Sequence, residues 1–266
     1  MSKPKVVVIP ADATLYQRRQ QINAFISQIR PLDLIVFRGS DLVSGLITKM
    51  EEHETGSMAN VSHVEVAMSA EWCDVADLSS NNMYSWGSTL SGPLNDGPCS
   101  VSGKAVFGVQ LRNLDELIES YLRNPAANVG VCRLIDSPIL RRPDESAADY
   151  AVRCEQLRMA INEAYVAYGN TKYDANPLAL FGAMFPELRS LRDFVNDEPD
   201  KLLFCSEFVA ALYKKVGIIN DATDGIIDGE IPDAKNVLPT DFLGTDADKN
   251  GIVRPICETT PMWIKN

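Results

Sequence analysis

The run Phe204-Cys205-Ser206-Glu207-Phe208-Val209-Ala210-Ala211-Leu212-Tyr213-Lys214-Lys215-Val216-Gly217 constrains the fold more than any other stretch of the chain. Apolar residues at 204, 208, 209, 212 and 216 recur at helical spacing, and Gly217 is a natural stop. The segment therefore reads as an amphipathic helix that lays one face on a core. Cys205 falls in its first turn, where the partial positive charge of a helix N-terminus favours thiolate over thiol. A cysteine so placed is equipped to be a nucleophile, whereas most free cysteines are inert packing.

A nucleophile of this kind needs a base, and the chain has only two histidines. His53 lies in Glu51-Glu52-His53-Glu54-Thr55-Gly56, a charged stretch that reads as a helix end or loop. His63 lies in Val61-Ser62-His63-Val64-Glu65-Val66-Ala67-Met68, where alternation and β-branched residues predict a strand. Residues two apart on a strand share a face, so His63, Glu65 and Ala67 point one way and Val64, Val66 and Met68 the other. His63 on a rigid strand is the better base.

Sequence order does not restrict a pair that assembles in space, but here it carries a resemblance. Leu32-Asp33-Leu34-Ile35-Val36-Phe37-Arg38-Gly39, Leu42-Val43-Ser44-Gly45-Leu46-Ile47, Ser62-His63-Val64 and Phe204-Cys205-Ser206-Glu207 together resemble the circularly permuted NlpC/P60, papain-like amidases of the YaeF/YiiX type. Met83-Tyr84-Ser85-Trp86-Gly87-Ser88-Thr89 and Pro239-Thr240-Asp241-Phe242 are weaker echoes, and the similarity spans roughly residues 31 to 243. The resemblance implies an α+β fold in which an antiparallel sheet or small barrel packs against helices. It also implies a thiol hydrolase, an amidase or cysteine peptidase, with Cys205 as nucleophile, His63 as base and a third polar residue orienting the imidazole. No cofactor or metal is implied. The substrate would be a small molecule, a peptide or an acyl compound.

The third role departs from the family pattern. The segment at 84 to 88 resembles a Tyr-x-Trp-Glu-Ser strand whose glutamate orients the histidine, and this chain has Gly87 at that position. Two substitutes are available. Glu65, on the strand face of His63 and about 7 Å along it, stands where the family more often has glycine. Ser85 and Ser88 flank the vacated position and can accept from a ring N–H. Glu65 is the better candidate, because a carboxylate stabilises the imidazolium formed when the cysteine loses its proton. If nothing fills the role, the alternative is a papain-like scaffold retained for binding or structure. Such a scaffold could serve a large DNA virus, since relatives occur there as well as in bacteria, and it would take protein partners.

Composition bounds these readings. With 266 residues, 45% hydrophobic and 23% charged, the chain can bury the core of one large domain. A formal net charge of −11 makes nucleic acid and anionic membrane surfaces unfavourable partners. No apolar run is long enough for an integral membrane segment, and Val6-Val7-Val8-Ile9 is too short for a signal-peptide core. Six cysteines at 73, 99, 132, 154, 205 and 257 show neither Cys-x-x-Cys spacing nor a disulfide framework. A reducing, cytoplasmic setting is expected, in a virion or host cytoplasm if the chain is viral, and peptidoglycan is then a less suitable substrate.

Three units are expected: an N-terminal extension over 1–30 packed on the core, a catalytic domain over 31–243 and an irregular tail over 244–266. Helix 14 to 29 in the extension carries a stripe of Leu15, Ile22, Phe25, Ile26 and Ile29. Strands are predicted near 33–38, 61–69, 83–87, 104–111 and 129–134, and helices near 41–52, 113–124 and 145–168. A short-helix insert at 170–200 would shape access to the site. Asp246-Ala247-Asp248-Lys249-Asn250-Gly251 imitates the start of a calcium loop, but the twelfth position is Cys257, so no calcium site is expected. Trp72, Trp86 and Trp263 read as packing residues ahead of groove residues. Arg38 reads as a surface-pairing residue and Glu207 as a structural cap.

Overall fold

The computed structural model describes residues 5–38, 61–75, 78–89, 98–104, 107–169, 171–172, 204–219, 242, 256–258 and 261–266. The expected helix at 41–52, the insert at 170–200 and His53 lie outside this set, apart from 171–172. Seven strands, β1 (Val6–Val8), β2 (Leu34–Arg38), β3 (His63–Ser69), β4 (Met83–Thr89), β5 (Gly108–Asn113), β6 (Asn128–Cys132) and β7 (Met262–Lys265), form one sheet in the order β1-β7-β6-β2-β3-β4-β5. Only β1 and β7 run parallel; every other neighbouring pair is antiparallel. Among the described residues four helices accompany it: α1 (Leu15–Ile26), α2 (Leu114–Tyr121), α3 (Ala147–Tyr168) and α4 (Cys205–Lys215). The architecture is mixed α+β. Its sheet is open, with β1 and β5 as edges, so the small-barrel form of the expectation is corrected: β1 is three residues long and pairs with β7, not β5.

Alternation along the strands puts apolar side chains on both faces, and each face has its own helices. Leu34, Val36, Val64, Val66, Met68, Trp86 and Leu111 pack with Leu157 and Ile161 of α3 and with Phe208, Val209 and Leu212 of α4. Ile35, Phe37, Ala67, Val129 and Ile264 pack with Ile22 and Phe25 of α1 and with Leu117 and Ile118 of α2. Trp86 is fully buried, edge-on to Phe208 with ring centroids 5.1 Å apart. Trp72 is buried in the same core and Trp263 packs against it.

Local chemistry fixes the helix starts and trims the expected boundaries. Thr14 and Gln17 form a reciprocal cap on α1, the Thr14 N–H donating to Gln17 Oε1 at 2.8 Å. Asn113 ends β5 and caps α2 by accepting the Asp115 N–H, which delays that helix to 114 and lets the strand run to 113. The segment ahead of β5 is a turn closed by the Gly103 N–H on the Cys99 carbonyl, so the strand begins at 108 and not 104. Leu15 leaves the expected stripe: it is 73% exposed, in the first turn of α1.

Asp33 seats β2. Fully buried, it accepts the Arg30 N–H at 2.9 Å and the Leu134 N–H at 3.2 Å. The neighbouring Leu32, at a φ of 69°, offers its carbonyl to the Tyr213 hydroxyl at 2.8 Å. The Asp-containing segment thus ties α4 to the start of a central strand.

The irregular tail expected for 244–266 is corrected at its end. Residues 262–265 form β7, an inner strand between β1 and β6, and the Ile9 and Trp263 N–H groups donate to the Lys265 and Lys5 carbonyls at 2.8 and 2.9 Å. The Pro- and Gly-rich composition upstream hid a four-residue strand too short for a periodic signal. The N-terminal segment is therefore continuous with the sheet through β7, besides packing α1 on the core. Ile264 is completely buried. Ile264→Ala should cost about 2–4 kcal/mol, read as a lowered urea midpoint; a loose tail would leave the midpoint unchanged.

Candidate functional site

His63 is the first residue of β3 and Cys205 the first of α4. The α4 helix packs on β3 and β4 through its apolar stripe, and this brings Cys205 and His63, where helix and strand begin, near enough to interact electrostatically. Cys205 is 5% exposed and the His63 side chain 13%. Glu207, one turn into the helix, accepts the Phe204 N–H at 2.8 Å and so caps the helix as expected. The Cys205 N–H is among the first four of the helix, which have no carbonyl partner within it.

Glu65 completes the group. It is fully buried, and its Oε1 lies 2.8 Å from His63 Nε2. With Nε2 facing the carboxylate, Nδ1 is the ring nitrogen left to exchange a proton with the thiol. Ser85 donates its hydroxyl to Glu65 Oε2 at 2.5 Å, and the buried Arg112 donates to Oε1 from Nη2. Sheet register explains the convergence: Ala67 pairs with Ser85 and Ser85 with Arg112, so the three strands stack these positions in one row. Two residues further along β3 and β4, past the Val66–Trp86 pair, Glu65 lies against Gly87. A Cβ at 87 would lie 2.3 Å from Glu65 Cγ and 2.6 Å from Cδ, so the glutamate side chain occupies the space a residue at 87 would need.

The electrostatics follow from this packing. Burial opposes charge on His63, but the negative charge of Cys205 and the hydrogen bond to it, then the bond and charge of Glu65, outweigh burial and raise its pKa from 6.5 to about 10. Burial likewise opposes charge on Glu65, yet Arg112 first, then His63 and Ser85, hold it down from 4.5 to about 2. Both groups are therefore charged at neutral pH.

Of the expected site residues, the structure brings Cys205, His63 and Glu65 together. Ser85 contacts the carboxylate and not the imidazole, and buried Ser88 is on the opposite strand face by alternation. Arg38 ends β2, paired in register with Asn128. Arg112 was missed by the sequence reading. Its signal was a cation alternating with Val109 and Leu111, on the same strand face as Gln110. All six cysteines are free. Among the described residues there is no metal-binding cluster of His, Cys, Asp or Glu, and no helix is long and apolar enough to cross a membrane. A cavity of about 570 Å³ between Leu134–Pro143, Gly217–Ile218 and Ile256 includes none of the Cys–His–Glu group. Comparison with models of known protein families gives no match, and neither does comparison with curated proteins.

Two outcomes test this geometry. Gly87→Ala should destabilise the fold by about 1–3 kcal/mol, because the new methyl overlaps a pinned, buried side chain; a thermal melt checks it. The stability that Glu65 contributes is present above its unfolded pKa of 4.5 and is lost as pH falls toward about 2. That from His63 is present below 6.5 and is lost as pH rises toward about 10. Urea midpoints of the wild type should fall on both sides of this window, and Glu65→Gln, which leaves Arg112 buried without its carboxylate, should lower the neutral-pH unfolding free energy by about 3–5 kcal/mol and flatten the acid side.

Proposed function

We propose that the chain is a cysteine hydrolase of amidase or peptidase type, built on a circularly permuted papain-like fold. Cys205 is the nucleophile, His63 the base and Glu65 the orienting residue. The observation that carries this reading is the continuous contact from a helix-start thiol through an imidazole to a buried, ionised carboxylate. The antiparallel run β2-β3-β4, with the histidine opening the middle strand and the cysteine helix packed on it, supports the fold. The free state of all six thiols suits an enzyme that works reduced.

In the reaction, His63 holds the proton of Cys205 as an imidazolium, and the sulfur attacks the carbonyl carbon of an amide, peptide or ester. A C–S bond forms as the carbonyl π pair moves to oxygen, and the Cys205 N–H at the helix start is placed to donate to that oxyanion. The imidazolium then protonates the leaving amine or alcohol as its bond to carbon breaks, leaving a thioester. Water, giving its proton to His63, attacks the thioester and releases the acid and the thiol. Glu65 keeps the ring oriented and stabilises each imidazolium, and its low pKa keeps it from taking the proton itself.

Glu65 takes the place of the glutamate the family has at position 87. An exchange of Glu65→Gly with Gly87→Glu should therefore retain activity that Glu65→Gly alone loses by roughly 10²-fold or more. A panel of activated amides and esters, with Cys205→Ala as the inactive reference, reads both. Equal turnover or equal labelling by a small thiol-reactive amide in Cys205→Ala would falsify the assignment of the nucleophile. A binding scaffold is the second reading, favoured by the shielding of a thiol only 5% exposed; an inert wild-type thiol would establish it over the hydrolase.

A further inference from the structure

The buried guanidinium on Glu65 has no part in the proton transfers above, yet it sits on the same carboxylate oxygen that faces His63. Without it, Glu65 alone would neutralise an imidazolium, and the pair would rest as imidazolium beside uncharged thiol. That state is idle, since the sulfur is not a nucleophile and the ring cannot accept a proton. With it, the carboxylate is already balanced, and the counter-charge available to the imidazolium is the Cys205 thiolate. Both Arg112 and Glu65 are buried, at 1% and 0% exposure, so solvent does little to screen this balance.

We propose that Arg112 is a positioning residue that sets the charge of the relay: by cancelling Glu65 it couples protonation of His63 to ionisation of Cys205. The inference rests on the cysteine-hydrolase reading. Among the described residues, the charged and titratable groups around the pair are few. Glu65 lies on β3 itself, Arg112 comes from β5 and Cys205 from α4. Glu207 on α4 is engaged with the Phe204 N–H, β4 contributes the uncharged Ser85, and the Phe37 ring of β2 lies tilted against the imidazole and against Tyr121 of α2. Arg112 is the cation in hydrogen-bonding contact with Glu65 in this set. Arg38 closes β2 one residue beyond Phe37.

The test is the pH dependence of Cys205 alkylation by iodoacetamide in the full chain, followed by peptide mass so that the other five thiols are counted apart. Removing the cation with Arg112→Gln should move the acid limb up by about one pH unit or more, whereas Arg112→Lys, which keeps the charge, should stay near wild type. Glu65→Gln, which removes the carboxylate charge beside the cation, should move the limb down. Glu65→Gln combined with Arg112→Met removes both charges, is expected to fold because a whole buried pair can be replaced by neutral groups, and should return the limb upward from Glu65→Gln. That last comparison stands even if Arg112→Gln does not fold. A role confined to packing would lower the melting temperature and leave every midpoint in place, which would overturn the proposal while leaving the nucleophile intact. A wild-type Cys205 that does not react across the range would overturn the hydrolase reading, and this inference with it.

Discussion

A carboxylate at zero exposure is costly unless its charge is answered on every side, and Glu65 meets that condition through three partners on three elements. His63 precedes it on its own strand, Ser85 comes from β4 and Arg112 from β5. Strand pairing brings these together, so the sheet and the site are one construction. The same buried anion that needs the β3-β4-β5 register to be satisfied also fixes the face of an imidazole at the start of β3. The thiol is supplied from α4, whose apolar stripe binds it to the opposite side of the same strands.

Much of this was legible in the sequence because it rests on short-range periodicity. The stripe 204, 208, 209 and 212 placed Cys205 at a helix start, and alternation through 63 to 68 put His63 and Glu65 on one face. Caps were legible where the cap residue was recognisable, although Asn113 shows how one side chain can end a strand and open a helix, moving both boundaries together. Sheet order was not legible, since it depends on which strands bury one another's faces, and no local pattern records that.

Two features escaped for different reasons. The strand at 262–265 is only four residues long and gains its identity from lying between β1 and β6, not from its own composition. Arg112 drew no notice in the sequence, because an isolated arginine on a strand is usually solvated. Its burial becomes intelligible only once Glu65 is known to be buried within hydrogen-bonding reach of it. The weighing of Glu65 against Ser85 and Ser88 had the same limit: sequence gave the face, and only the cross-strand row gave the partner.

The close fit of Glu65 over Gly87 has a consequence for how such a chain can change over generations. Carboxylates at both positions compete for one volume, and a carboxylate at neither removes the oxygen to which Arg112 donates. Descent between the two arrangements is thus a narrow passage, open when both codons change together or when the arginine is lost first. Homologues that keep an acid at 65 should accordingly keep glycine at 87, and a larger residue at 87 should go with a smaller one at 65.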